Sequence, residues 1–341
     1  MPPTTAPTPP PVGRRDMIGD SSRAMRVKIL HHDRCFDGAC SAALFSSFVR
    51  RSLAPGAELS YAGLYHRADQ LFNESDFDGD INVIVDFKYS PSERVTWWFD
   101  HHQSAFLSEA DAEHFRRDRS GTKFFDPGYK SCTKFIANTL SAKFDFDCGH
   151  LADLIHWADV LDGAQHASAR AAVEMKEPAL KLNLIVESAE TNVTPSVIPL
   201  LETDSLESIV ERPEYKREFS KLFEGHMQTM ETISEKAVYR DGVVFFDLVG
   251  TGLKGYNKFI PYFLYPQSAY TVSLLDGGFR AKVSVGSNPW AAVEPSHNLA
   301  KLCERYGGGG HPRVGAISFK PEQFSEARSA ALEIAEILSS G

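Results

Sequence analysis

Three short apolar runs each stop on an acid or a histidine, and helix-length segments separate them. Arg26-Val-Lys-Ile-Leu30 runs into His31-His32-Asp33-Arg34-Cys35-Phe36-Asp37-Gly38. Ile81-Asn-Val-Ile-Val-Asp86 ends on a carboxylate, and Val95-Thr-Trp-Trp-Phe-Asp100 leads into His101-His102. Short apolar runs with polar boundaries read as buried strands, and strands alternating with helices form a parallel sheet covered on both faces. Helices are predicted over 41–48, 130–142 and 150–161. Ligands of such sheets bind beyond the carboxyl ends of the strands, which is where this chain puts its His and Asp residues.

The remainder changes character twice. Residues 1–24 are rich in Pro and Thr with no apolar period, and are expected to form a disordered tail. Over 165–238 Ala, Glu, Lys and Leu dominate, so a helical connector is expected, broken around 191–199. From Gly242 strands return, over 243–246, 270–275, 281–285 and 316–319, with helices over 296–306 and 321–339. The fold class that follows is α/β: a doubly wound parallel-sheet domain over 25–165, a helical connector over 166–238, and a smaller α+β domain over 239–341. The active site is expected in the cleft between the two domains, which suits a length of 341 residues at about 100–200 per domain.

Composition narrows the function. With 43% hydrophobic and 24% charged residues the chain is an ordinary globular one. No run of about 18 apolar residues predicts a membrane span. The start lacks the apolar core of a secretory signal. Five cysteines without a CxxC pair indicate neither a disulfide framework nor a zinc knuckle, so a reducing cytoplasm is expected. A net charge of −9 argues against binding long nucleic acid by bulk electrostatics. Residues 240–320 nevertheless hold nine Lys/Arg against five Asp/Glu, a local +4 that leaves −13 on the rest. An acidic part joined to a basic part suits a metal site working with an anion site.

Each polar cluster has an ordinary explanation taken alone. A strand-end Asp is usually a turn or cap residue, and Asp37-Gly38 alone is a turn. The first cluster, Asp86, Asp100-His101-His102 and Trp157-Ala-Asp159-Val-Leu-Asp162-Gly163 together fall at strand ends or a helix edge in a consistent order. Mixed Asp and His donors suit divalent cations, and imidazole tilts the choice from Mg²⁺ toward Mn²⁺, Fe²⁺ or Co²⁺. A central carboxylate can bridge two such ions about 3.5–4 Å apart, which activates water and neutralises a phosphoryl transition state. Further on, Tyr306-Gly307-Gly308-Gly309-Gly310-His311-Pro312-Arg313 cannot be ordinary core. Its backbone N–H groups, with His311 and Arg313, are expected to cradle phosphate. The P-loop pattern is absent.

These residues resemble the DHH phosphoesterase superfamily. Asp100-His101-His102 carries the signature, and Gly307–Gly310 with His311 resembles the glycine-rich motif of the associated C-terminal domain. The resemblance covers residues 26–320 and includes RecJ nucleases, oligoribonucleases that dephosphorylate pAp, cyclic dinucleotide phosphodiesterases and exopolyphosphatase-like proteins. It implies two divalent ions, Mn²⁺ first, with Mg²⁺ or Co²⁺ as alternatives. It implies His31 and Asp37 as ligands of the two different ions, Asp86 as the bridge, His101 and Asp159 on the second ion, and His102 beside the scissile phosphate. Asp162 has no counterpart and reads as a turn or supporting group. Gly308, Gly309, Gly310, His311 and Arg313 are implied as substrate contacts.

The chain departs from the family pattern twice. Cys35 stands where the family has Asp, so either Cys35 ligates or Asp33 reaches in; hard metals favour Asp33. Gly286 stands where many nucleotide-cleaving relatives have Arg, with Lys254, Lys258 or Arg313 as replacements. The function that follows is a two-metal phosphohydrolase of short nucleotidic substrates: short oligonucleotides, pAp-like nucleotides or dinucleotides. A RecJ-like exonuclease, an exopolyphosphatase, and a nucleotide- or polyphosphate-binding protein with a degenerate first site are the rival readings. A homodimer is compatible with the connector's pattern.

Overall fold

The computed structural model describes residues 23–65, 71–276, 280–292, 294 and 296–340; the expected tail lies outside them except for its last two residues. The described residues divide into two compact units. The first holds residues up to 165 together with 178–216, and the second holds 166–177 with 217 onward. The helical stretch expected as one connector over 166–238 is thus shared between both units.

The first unit begins β1 (Arg26–His32), α1 (Phe36–Phe48), β2 (Glu58–Leu64), β3 (Ile81–Val85) and β4 (Val95–Asp100). It continues with α2 (Glu109–Arg117), β5 (Lys123–Phe125), α3 (Cys132–Phe144) and α4 (Ala152–Asp162). The strands form one parallel sheet in the order β2-β1-β3-β4-β5. All five residues of β3 are buried, as a strand covered on both faces requires. Every residue of α1 is buried as well, so this helix is core on all sides. An aromatic layer of Tyr89, Trp98, Phe106, Phe115 and Phe125 fills one side of β4, with Tyr89 and Trp98 ring centroids 4.7 Å apart. The helices α6 (Pro178–Ser188), α7 (Thr194–Thr203) and α8 (Leu206–Val210) also belong to this unit. Of the break expected over 191–199, only 191–193 lies outside helix: Asn192 accepts from Thr194 N at 3.0 Å, and α7 runs on through Pro199.

The second unit holds α5 (Ala169–Glu174), most of α9 (Pro213–Lys236), and a six-stranded mixed sheet in the order β10-β11-β9-β8-β7-β6. Its strands are β6 (Val238–Arg240), β7 (Val243–Asp247), β8 (Tyr270–Asp276), β9 (Ala281–Ser287), β10 (Gly309–His311) and β11 (Val314–Phe319). Only β7 and β8 pair in parallel. Helices α10 (Ile260–Leu264), α11 (Leu299–Glu304) and α12 (Phe324–Ser339) complete it. α12 closes the core with Ala327, Ala331, Ile334 and Leu338 against Val272, Leu274 and Val283.

The turn from β1 into α1 is tight because Gly38 allows it. A Cβ on Gly38 would lie 2.2 Å from the His32 carbonyl oxygen, so any side chain forces strand and helix apart. Gly38→Ala is expected to cost ~1–3 kcal/mol by overpacking, read as a lower denaturation midpoint with an unchanged denaturant slope. An unaltered midpoint contradicts the packing argument.

Candidate metal centre

Adjacent strands β1, β3 and β4 bring three clusters to one sheet edge. His31 pairs in register with Val85, and Val85 with Phe99, so the residues that follow emerge side by side. Asp86 leaves β3 with φ 58°, a left-handed conformation that Asp tolerates better than most residues, while its N–H still donates to Phe99 O at 2.9 Å. α1 adds Asp37 in its first turn, and the last turn of α4 adds Asp162.

Three carboxylates converge on one imidazole. His101 Nε2 lies 3.4 Å from Asp86 Oδ1, 3.5 Å from Asp162 Oδ2 and 3.8 Å from Asp37 Oδ2. The other ring nitrogen, Nδ1, faces Tyr129 O at 3.1 Å. A donor bond there leaves the Nε2 lone pair for a cation, as a metal-ligating histidine requires. Asp37 is held from behind by the backbone N–H groups of Cys132 (2.6 Å) and Thr133 (3.0 Å), at the start of α3. Asp86 also belongs to a second donor group, with His32 and His102. His32 Nδ1 lies 3.4 Å from Asp86 Oδ2, and His102 Nδ1 lies 3.9 Å from Asp86 Oδ1.

Polar satisfaction tests whether a cation fits. Buried polar atoms are normally paired. Asp86 Oδ1 and His101 Nε2 are buried without a hydrogen-bond partner, and so is His31 Nε2. Charge points the same way. Burial, reinforced by Asp86 and Asp162, pushes Asp37 well above the usual carboxylate range. Burial and Asp86 raise Asp162 to about 6. Asp86 stays ionised: burial opposes it, but the His101 and His32 imidazoles beside it hold it below the normal range. Burial also opposes a charged His101, yet Asp86 and Asp37 raise it to about 10. Protons thus neutralise this cluster where a divalent cation would. The residues fit such an ion.

The Asp-His-His segment supplies its own orientation. Asp100 Oδ1 accepts from the N–H of His101 (2.8 Å) and of His102 (3.2 Å), and from His102 Nδ1 at 2.7 Å. Burial disfavours the His102 imidazolium, but Asp100 and Asp86 outweigh it and raise its pKa.

Other expected residues lie elsewhere. His31 is fully buried with Nδ1 on His32 O at 3.0 Å, and belongs to neither donor group; its neighbour His32 does. Asp33 is used by Asn192 Nδ2 (2.6 Å) and Arg34 N (2.9 Å). Asp159 is held by Lys134 Nζ at 2.6 Å and Ser131 Oγ at 3.4 Å, while Asp162, one helical turn on, faces His101. Cys35 Sγ donates to Asp86 Oδ2 at 3.7 Å, and burial together with Asp86 and Asp37 pushes the thiol up.

In the second unit, Gly309, Gly310 and His311 pair with β11. The N–H groups of Gly307 and Gly308 bond to Glu304 O (3.1 Å) and Cys303 O (3.0 Å), so those two do not contribute to an anion cradle. Arg313 pairs with Glu294, and Lys258 sits over the Phe259 ring. A Cβ on Gly286 would meet Tyr262 Oη at 2.5 Å. Tyr262, bonded to Thr271 Oγ1 at 3.1 Å, therefore fills the space a longer side chain would need.

Because His101 is protonated near neutrality, a cation binding at Nε2 must displace that proton. Apparent Mn²⁺ affinity is expected to rise by up to about tenfold per pH unit between pH 6 and 9. Calorimetric titration in buffers of different ionisation enthalpy should show proton release. Affinity independent of pH contradicts the assignment of His101.

No family model matches the chain, and no curated protein matches it. Solved structures do. A pGpG-specific phosphodiesterase, PggH from Vibrio cholerae, aligns with TM-score 0.64 at 17% identity, covering 92% of this chain and 99% of that one. The DHH domain of a member of the s1p family of ribosomal proteins aligns at 0.57 and 14%, over 92% and 87%. RecJ from Thermus thermophilus, in complex with Mn²⁺, aligns at 0.51 and 13%, over 92% of this chain and 52% of that one. The fold of this chain is that of the DHH-domain proteins.

Proposed function

We propose that the chain is a divalent-metal phosphoesterase that hydrolyses short nucleotidic substrates: short oligonucleotides, pAp-like nucleotides or dinucleotides. The observation that carries this reading is the convergence of Asp37, Asp86 and Asp162 on His101 Nε2, with orphaned buried ligand atoms at its centre. The fold supports it, since its neighbours include a pGpG-specific phosphodiesterase and a RecJ bound to Mn²⁺.

In this reading Asp86 is shared by two cation positions. Asp37, His101 and Asp162 complete one, and His32 contributes to the other. Asp162 takes the role that the family resemblance gave to Asp159. Mn²⁺ is the first choice, with Mg²⁺ or Co²⁺ as substitutes. When bound, the ions supply an activated water and neutralise the phosphoryl charge. His102 donates Nδ1–H to Asp100, so its other ring nitrogen is free to hold or give a proton beside the reacting phosphate. In the second unit, Gly309, Gly310, His311 and Arg313 remain the proposed contacts for a substrate phosphate.

Hydrolysis is to be measured with Mn²⁺, each assay beside an EDTA control, over pAp, short oligoribonucleotides, linear and cyclic dinucleotides, and polyphosphate. Release from one nucleotidic class, lost in EDTA and in Asp86→Ala, is the expected result. Activity that survives EDTA removes the metal reading, and turnover of polyphosphate alone removes the nucleotidic one. Asp162→Asn should lower activity far more than Asp159→Asn; the reverse order restores Asp159 as the ligand. His102 has a raised pKa, so its proton persists above the ordinary range and is lost as pH rises through the shifted value. Removing the Asp100 charge lowers that value. Asp100→Asn should therefore move the alkaline limb of the kcat profile to lower pH; an unmoved limb contradicts His102 as the proton carrier.

A further inference from the structure

The two donor groups that share Asp86 are not equivalent. On one side, three carboxylates surround His101 Nε2 within 3.4–3.8 Å. On the other side, His32 Nδ1 faces Asp86 Oδ2 at 3.4 Å, and Cys35 Sγ donates to the same oxygen at 3.7 Å. His102 adds little there, because its Nδ1 is bonded to Asp100 Oδ1 at 2.7 Å and carries the proton it donates. Among the described residues, the donor group on this side holds no carboxylate besides Asp86. Asp33, the nearest by sequence, has Oδ1 taken by Arg34 N and Oδ2 by Asn192 Nδ2. Arg34 itself is fixed with φ 51°, its guanidinium bonded to Ala189 O (2.6 Å) and Glu190 O (3.0 Å). The loop that holds Asp33 away from Asp86 is therefore clamped at both residues.

We propose that the protein at rest holds one divalent cation firmly, among Asp37, Asp86, His101 and Asp162, and that Cys35 keeps the position beside His32 weak. This rests on the metal-centre reading above. Hard cations such as Mn²⁺ and Mg²⁺ take oxygen in preference to sulfur. The Cys35 thiol also occupies, as a hydrogen-bond donor, the Asp86 oxygen that a second cation would share with His32. The side chain at residue 35 thereby sets the number of tightly bound ions.

Residue 35 is open to a direct exchange of donors. Cys35 is the N-cap of α1, with extended backbone (φ −127°, ψ 130°) and no capping bond from its side chain. Asp is among the preferred N-cap residues, so Cys35→Asp is compatible with folding while placing a carboxylate beside Asp86 and His32. Cys35→Ser changes the atom without adding charge.

The test is Mn²⁺ alone, titrated calorimetrically into the full metal-stripped chain, with bound metal counted by mass spectrometry after gel filtration. Thermal melts establish that each variant is folded. The wild type and Cys35→Ser should each retain one ion. Cys35→Asp should retain two, its second position tighter than the wild type's by at least ~10-fold. Two equally tight ions in the wild type overturn the proposal while leaving the metal centre standing. One ion in folded Cys35→Asp overturns the role of Cys35. No bound ion in any of the three overturns the metal-centre reading itself.

Discussion

Three acids, two of them buried, cannot share one imidazole without help. Asp37, Asp86 and Asp162 face His101 Nε2, and a single imidazolium balances one of them. In the absence of a cation the cluster must take up protons, which is why Asp37 and Asp162 shift upward while Asp86 and His101 remain a charged pair. Much of the first unit exists to hold this arrangement. α3 donates two backbone N–H groups to Asp37, Tyr129 fixes the His101 ring, and Asp100 fixes the segment that carries both histidines. Burial gives the cluster its electrostatic strength, and the same burial makes it costly without an ion.

The parallel sheet is legible in the sequence because its central strands are short, apolar and punctuated by polar residues. Both β3 and β4 appear within a residue of the expected bounds. The edge strands are not legible in the same way. β2 (Glu58–Leu64) contains Ala and Gly and no β-branched residue, and β5 has three residues. Their strand character comes from pairing with β1 and β4, a tertiary effect that local propensity does not carry.

The candidate metal cluster is half legible. Asp37, Asp86 and His101 stand at strand or helix ends, where topology alone points to them. The remaining expectations turn on choices between near neighbours. His31 and His32 differ by one residue, and one step along a strand reverses the face a side chain uses. Asp159 and Asp162 differ by one helical turn, and the choice between them rests on Lys134, a residue of another helix that engages Asp159. Asp33 is turned aside by Asn192, 159 residues away in the chain. None of these partners is visible in a local pattern. In the second unit the glycine run is expected to offer backbone N–H groups to phosphate, but β11 and α11 take up part of that hydrogen-bonding capacity.

The chemistry proposed for the site depends on where the cation sits. Crystals grown with Mn²⁺ and measured at the manganese absorption edge would show it directly. The expected result is an anomalous peak bonded to Asp37, Asp86, His101 and Asp162, with Asp159 still paired to Lys134. A strong peak on Asp159, or none within bonding distance of Asp86, contradicts it.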